Sequence, residues 1–161
     1  MIKNSLILAV GAIMSFLCSC SFQSESNNES EQIGQIFRTG CYPLDTSSVG
    51  IGLYDQTDGL FYPLDTSAVI DVRDFKEVSV SKSTGKYLVN LVLTDEGAQK
   101  FTAATEKYLG NYLAFVVDNK LVMIPRIREK ITGNSVLIDG NFTEDQMIDC
   151  YRQIKASMAK H

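Results

Sequence analysis

Leu93-Thr94-Asp95-Glu96-Gly97-Ala98-Gln99-Lys100-Phe101 is the stretch on which the fold turns. Thr94 is placed to cap a helix, because its hydroxyl can accept from amide groups that have no partner in the first turn. Asp95 and Glu96 then complement the positive end of the helix dipole. Ala98, Phe101, Thr105 and Tyr108 recur at helical spacing and make one inward face. Gly110 is placed to end the helix in a left-handed conformation. Upstream, Phe75 to Val80 alternates apolar and polar residues, and Ser83-Thr84-Gly85 turns the chain. Tyr87 to Leu93 is a second, more apolar strand, so an antiparallel hairpin leads into the helix.

Downstream, Leu113 to Val117 and Lys120 to Ile124 read as a hairpin over Asp118-Asn119, both tolerant of positive φ. Pro125 ends it. Ile131-Thr132-Gly133-Asn134 precedes a short apolar strand, Ser135 to Asp139. The final helix has a local signature: Thr143 and Gln146 form a capping box, with Phe142 and Met147 spaced for a hydrophobic staple. Met147, Tyr151, Ile154 and Met158 form its apolar stripe, a core face more often than a binding groove.

These segments, in this order, resemble the head subdomain of the first periplasmic domain of SecD, the membrane subunit that helps pull exported proteins across the inner membrane. The resemblance rests on Leu93-Thr94-Asp95-Glu96-Gly97, the inward Phe101, the apolar strand ending at Asp118 and the short strand ending at Pro125. Ile131-Thr132-Gly133 and Gly140-Asn141-Phe142-Thr143 complete it. It runs from about Val69 to the C-terminus. Asn119 stands where the family usually has glycine, and Arg126 and Arg128 are not family features. The resemblance implies a polypeptide-handling module. The fold expected is α+β: a mostly antiparallel sheet of about five or six strands with two helices packed on one face.

Residues 36–161 are expected to form that single domain. Within it, Tyr42-Pro43-Leu44-Asp45-Thr46-Ser47-Ser48-Val49 returns as Tyr62-Pro63-Leu64-Asp65-Thr66-Ser67-Ala68-Val69. Two copies are too few for a solenoid, so they read as two similar turn-plus-strand units. Ile51-Gly52-Leu53 and Leu60-Phe61-Tyr62 are placed to pair as a hairpin around Asp55 to Gly59.

The N-terminus reads as a targeting segment. Lys3 is a positive flank, and Leu6 to Leu17 is an apolar core too short to span a bilayer comfortably. Leu17-Cys18-Ser19-Cys20 fits a bacterial lipoprotein signal over residues 1–19, with Cys20 as the lipid attachment site. Cys18 is the poorer candidate, because Phe16 and Leu17 put bulk where small residues are wanted. Several acyl chains on Cys20 would hold the domain at a membrane. Residues 20–35 are polar and acidic and are expected to be a disordered tether. Glu25, Glu29 and Glu31 fit either a surface-display signal used in some bacterial groups or a plain solvated linker.

The chain has 15 Lys and Arg against 19 Asp and Glu, a net charge of -4, and no basic block. Nucleic acid is therefore not an expected partner. Cys41 and Cys150 can pair as a disulfide, since an exported protein meets an oxidising compartment, or stay as two buried free thiols. The only histidine is the terminal His161, which excludes a histidine-based triad and a histidine-rich metal site. Asp71/Asp74 and Glu144/Asp145 are carboxylate pairs, and the latter is accounted for by its place at a helix start. Arg126 and Arg128 flank Ile127 on a loop and read first as solvated charges. No cofactor and no catalysis are expected.

The function expected is a lipid-anchored extracytoplasmic module that binds polypeptide or assists protein export. Its partners are membrane lipid through Cys20 and a protein or peptide whose contact residues the sequence does not name. The alternative is a structural envelope or surface lipoprotein that assembles with a membrane complex. A hydrolase with an unrecognised site is the third reading.

Overall fold

A computed structural model describes residues 37–45, 47, 51–140 and 142–161, all within one unit, Ile33–His161. The targeting segment, Cys20 and the tether lie outside the described residues. The element order is β1 (Gly40–Pro43), β2 (Gly52–Tyr54), β3 (Phe61–Pro63), β4 (Ile70–Asp71) and a 3-10 turn (Val72–Asp74). It continues with β5 (Phe75–Ser83), β6 (Lys86–Leu93), α1 (Asp95–Lys107), β7 (Leu113–Val117), β8 (Lys120–Met123), β9 (Ser135–Ile138) and α2 (Glu144–Met158).

The class is α+β, and every strand pairing in the three sheets is antiparallel. The strands divide into a four-stranded sheet β4-β1-β7-β8, a three-stranded sheet β5-β6-β9 and the hairpin β2-β3. The main core holds Cys41, Val89, Leu91, Leu93, Leu113, Phe115, Val117, Val136 and Ile138, with Phe101 from α1 and Met147 and Ile154 from α2. The other face of the four-stranded sheet carries Tyr42, Ala114 and Val116. With Leu121 of β8 on the same face, it packs with Phe37 and Leu64 as a second core, flanked by Leu53 and Tyr62 of the hairpin. Hence β7, Leu-Ala-Phe-Val-Val, is buried throughout: a strand covered on both faces has no wet side to mark by alternation.

The local expectations are realised with small shifts. Thr94 Oγ1 accepts from Gly97 N at 3.0 Å, and Thr143 and Gln146 form the reciprocal capping box. Asp118 (φ 44°) and Asn119 (φ 63°) make the β7–β8 turn. Glycine here could not make the bond from Phe37 N to Asn119 Oδ1 at 3.2 Å, so this departure from the family pattern ties down the start of the domain. A bulge at Lys76 interrupts the β5–β6 register between Phe75 and Glu77. Gly110 is left-handed (φ 79°) but lies two residues beyond the C-cap, Tyr108.

The repeated Tyr-Pro-Leu-Asp segments pair with each other. Leu44 bridges Leu64 antiparallel. Asp45 N donates to Pro63 O at 3.0 Å and Asp65 N to Pro43 O at 2.9 Å. Each aspartate then accepts from the amide two residues on, Ser47 and Ser67, at 2.9 and 2.8 Å. The repeat therefore builds a local two-fold clasp between the four-stranded sheet and the hairpin.

Candidate functional groove beside strand β9

Pro125 removes a backbone donor and ends β8. The chain from 125 to 131 then crosses the molecule beside α1 and is pinned along its length. Leu113 N donates to Pro125 O at 3.2 Å, Ile127 N to Asn111 O at 2.8 Å and Gly110 N to Ile127 O at 2.8 Å. Ile131 N donates to Thr105 Oγ1 at 3.0 Å, and Lys130 pairs with Glu106 at 2.8 Å. Between this segment, the β8 end of one sheet and β9 of another lies a groove of about 420 Å³. Cys41, Phe101, Phe115 and Val136 form buried parts of its wall, and Met123, Ile131 and Leu137 are its more exposed apolar members.

The β9 side of the groove carries open backbone groups. β9 is the edge of its sheet. Leu93 N donates to Asn134 O at 2.7 Å, and in the register Leu91↔Val136 and Val89↔Ile138 this makes every second pair a hydrogen-bonded one. The amides and carbonyls of Ser135 and Leu137 therefore point away from β6, and both residues line the groove. Leu137 is 49% exposed. An extended chain laid here can hydrogen-bond the edge and place alternate side chains in the apolar groove.

The residues singled out from sequence fall as follows. Arg126 and Arg128 are on the groove rim with Glu129 and Asp139, and Arg126 Nε donates to Gly110 O at 2.9 Å. Cys41, within the main core, and Cys150, packed against it, are free thiols. Burial pushes Cys41 up to about 12 and Cys150 to about 11, so neither is a thiolate at neutral pH. Asp71 and Asp74 are a capping box for the 3-10 turn. The Arg73 guanidinium holds the Asp71 carboxyl below its usual range, and buried Asp74 takes Lys100 at 2.8 Å. Glu144 and Asp145 are exposed in the first turn of α2. Neither carboxylate pair lines the groove. Among the described residues no three His, Cys, Asp or Glu side chains could share a metal ion, and no helix is long and apolar enough to cross a membrane.

Sequence reasoning missed Met123, Ser135 and Leu137 as groove residues. The available signal was Leu137, a leucine on the outer side of a short strand whose neighbours Val136 and Ile138 are core.

The model of the SecDF P1 head subdomain family matches residues 51–157. The protein translocase subunit SecD of Aquifex aeolicus is 37% identical over 90 residues, covering 55% of this chain and 18% of SecD. SecDF of Thermus thermophilus is 38% identical over 78 residues, 48% of this chain and 10% of SecDF. SecD of Treponema pallidum is 33% identical over 118 residues, 69% of this chain and 20% of SecD. The chain thus spans about a fifth or less of these relatives' length. Among solved structures, a SecDF described as a membrane component that enhances protein export superposes with a TM-score of 0.58 at 19% identity. That match covers 74% of this chain and 63% of the other. SecDF in its super-membrane-facing form gives 0.59 at 20% identity, over 76% of this chain and 19% of the other. At those identities the likeness is one of fold. With two thirds of its length matched by the family model, the chain belongs to the family of SecDF P1 head subdomains.

Proposed function

We propose that this chain is a non-catalytic accessory module of protein export that holds extended polypeptide outside the cytoplasm, tethered to a membrane through lipid on Cys20. The family supports the export context. The observation that carries the binding reading is the apolar groove lying against the outward backbone groups of Ser135 and Leu137. Strand addition gives affinity through the main chain, and the groove gives a preference for apolar side chains at alternate positions. Affinity is modest, because ordering an unfolded segment opposes binding.

Fluorescence anisotropy of a labelled, permanently unfolded protein, titrated with this chain at low and high salt, tests the reading. Binding is expected to change little with salt, since the chain carries no basic stripe. Leu137→Pro removes a donor that points away from β6 and so should abolish binding while leaving the β6–β9 ladder intact. Leu137→Lys, which keeps the donor, should weaken it. No binding of any extended chain at high micromolar concentration sinks the proposal.

The second reading is a structural lipoprotein that assembles with a membrane complex. It is favoured by a separate feature, the apolar outer face of the β2–β3 hairpin, on which Tyr54 and Phe61 are exposed.

A further inference from the structure

The groove beside β9 opens onto the main core. Cys41, Phe101 and Phe115 belong to that core and also line the groove. Within β9, Val136 and Ile138 face the core, and Ser135 and Leu137 face away from it. Of the two core-facing residues, Val136 lines the groove and Ile138 does not. Leu91 of β6 is the cross-strand neighbour of Val136 and is fully buried on the same face. On its other side β9 is the sheet edge, so among the described residues no strand continues that row.

A chain added at this edge has its side chains assigned by the pleat. Residues opposite each other on neighbouring strands project to the same face. The residue opposite Val136 therefore points into the groove. The residues opposite Ser135 and Leu137 point to the other face, where Ser135 and Leu137 are exposed. An antiparallel strand makes both main-chain bonds of Ser135 with one residue and both of Leu137 with another, so a three-residue span is enough. A parallel strand needs a five-residue span for the same bonds and loses more chain entropy. Arg126, Arg128, Glu129 and Asp139 stand on the rim, and none of them forms an ion pair among the described residues. Two charges of each sign give the flanks no preference. A charge carried down to the apolar wall, in contrast, would be desolvated without a partner.

We infer that the groove selects extended polypeptide by one anchor: a large apolar side chain such as phenylalanine, leucine or methionine, on the residue opposite Val136 of a strand antiparallel to β9. The residue before the anchor bonds Leu137 and the residue after it bonds Ser135, and the side chains of both are unrestricted. Phe101, Phe115 and Met123 determine the choice, as the walls that the anchor meets. The inference rests on the reading of the groove as a polypeptide site and adds the class of segment it takes.

The test is anisotropy, with the full chain, of short labelled peptides of serine and threonine around one central phenylalanine, and displacement of the unfolded protein by the same peptides unlabelled. The phenylalanine peptide should bind and displace. Alanine at the centre should weaken it about 10- to 100-fold, the effect of losing one buried large apolar side chain, and lysine at least as much. N-methylation of the residue just before or just after the anchor should abolish binding, because each of those N–H groups points at β9. N-methylation of the anchor itself should change nothing, because its N–H points away. Met123→Lys, at the half-buried part of the wall, should weaken the phenylalanine peptide with the melting temperature unchanged. The inference is overturned if the lysine peptide binds as well as the phenylalanine one, or if the Met123 variant binds normally. It is overturned too if methylation of the anchor, and not of its neighbours, abolishes binding, the mark of a parallel strand. Failure of the peptides to bind or displace at millimolar concentration also overturns it. In that case continued binding of the unfolded protein leaves the groove reading standing, whereas loss of both sinks both.

Discussion

Gly97 in the first turn of α1 rests directly on Asp74: a Cβ at Gly97 would come 2.6 Å from the Asp74 carbonyl oxygen and 2.7 Å from Asp74 Cβ. The same carbonyl accepts from Thr94 N at 2.8 Å, and the Asp74 carboxylate takes Lys100 at 2.8 Å and Asp71 N at 3.1 Å. The start of α1 and the turn before β5 are thus one locked unit. Gly97 is the member that permits the approach, which gives a physical reason for glycine in Leu-Thr-Asp-Glu-Gly.

Gly97→Ala should therefore destabilise the domain, although alanine is the better helix former. The atoms it meets are backbone and Cβ, which cannot swing away, so the cost is that of overpacking, about 1–3 kcal/mol. Urea unfolding of the two proteins measures it. An unchanged midpoint would mean that the helix start and the turn are not in contact.

Phe101 packs in the main core and also lines the groove. Phe101→Ala should cost about 3–5 kcal/mol, a large part of a domain's stability. At a temperature where the variant is still folded, it should also bind unfolded polypeptide more weakly. Loss of stability with full binding would place the polypeptide elsewhere.

Burial raises the Cys41 thiol from 9.0 to about 12. The folded state holds its proton where the unfolded state has lost it. This contribution to stability is complete below about pH 9 and is lost as pH rises from there toward 12. Stability of the wild type should fall more steeply across that alkaline window than that of Cys41→Val, whatever their levels at neutral pH. A thiol reagent at pH 8 should label Cys41 only on unfolding. Equal slopes in the two proteins, or rapid labelling of the native one, would show that Cys41 is solvated.

Cys20→Ala should release the protein from the membrane fraction or leave an unprocessed precursor, since its sulfur is the proposed acyl acceptor. Membrane fractionation with metabolic labelling by a fatty acid reads the outcome. If Cys18→Ala, and not Cys20→Ala, abolishes lipid incorporation, the attachment site is misplaced.

The elements that the sequence itself determined are those with short-range causes. Thr143 and Gln146 announce α2 because a capping box needs only residues three apart. Asp118-Asn119 announces the β7–β8 turn because both tolerate positive φ. Asp55 to Gly59 joins two strands that pair with each other. The family resemblance, carried by Leu93 to Thr143, was readable for the same reason, since its motifs are turns, caps and helix starts in a set order.

What only the tertiary structure decided is who pairs with whom across the chain. Gly40–Pro43 is four residues with no visible partner, yet it is the strand between β4 and β7, and its Cys41 and Tyr42 serve two different cores. The repeated Tyr-Pro-Leu-Asp segments were plain as a repeat, but not that they bridge each other. The groove needs β8 from one sheet, β9 from another and the 125–131 crossing between them. The β2–β3 face needs Leu53 and Tyr62 to be taken inward before Tyr54 and Phe61 are left outside. A strand's pattern of apolar residues records how many of its faces are buried, but it does not record which distant strand buries them. That choice is made by the packing of all the elements together.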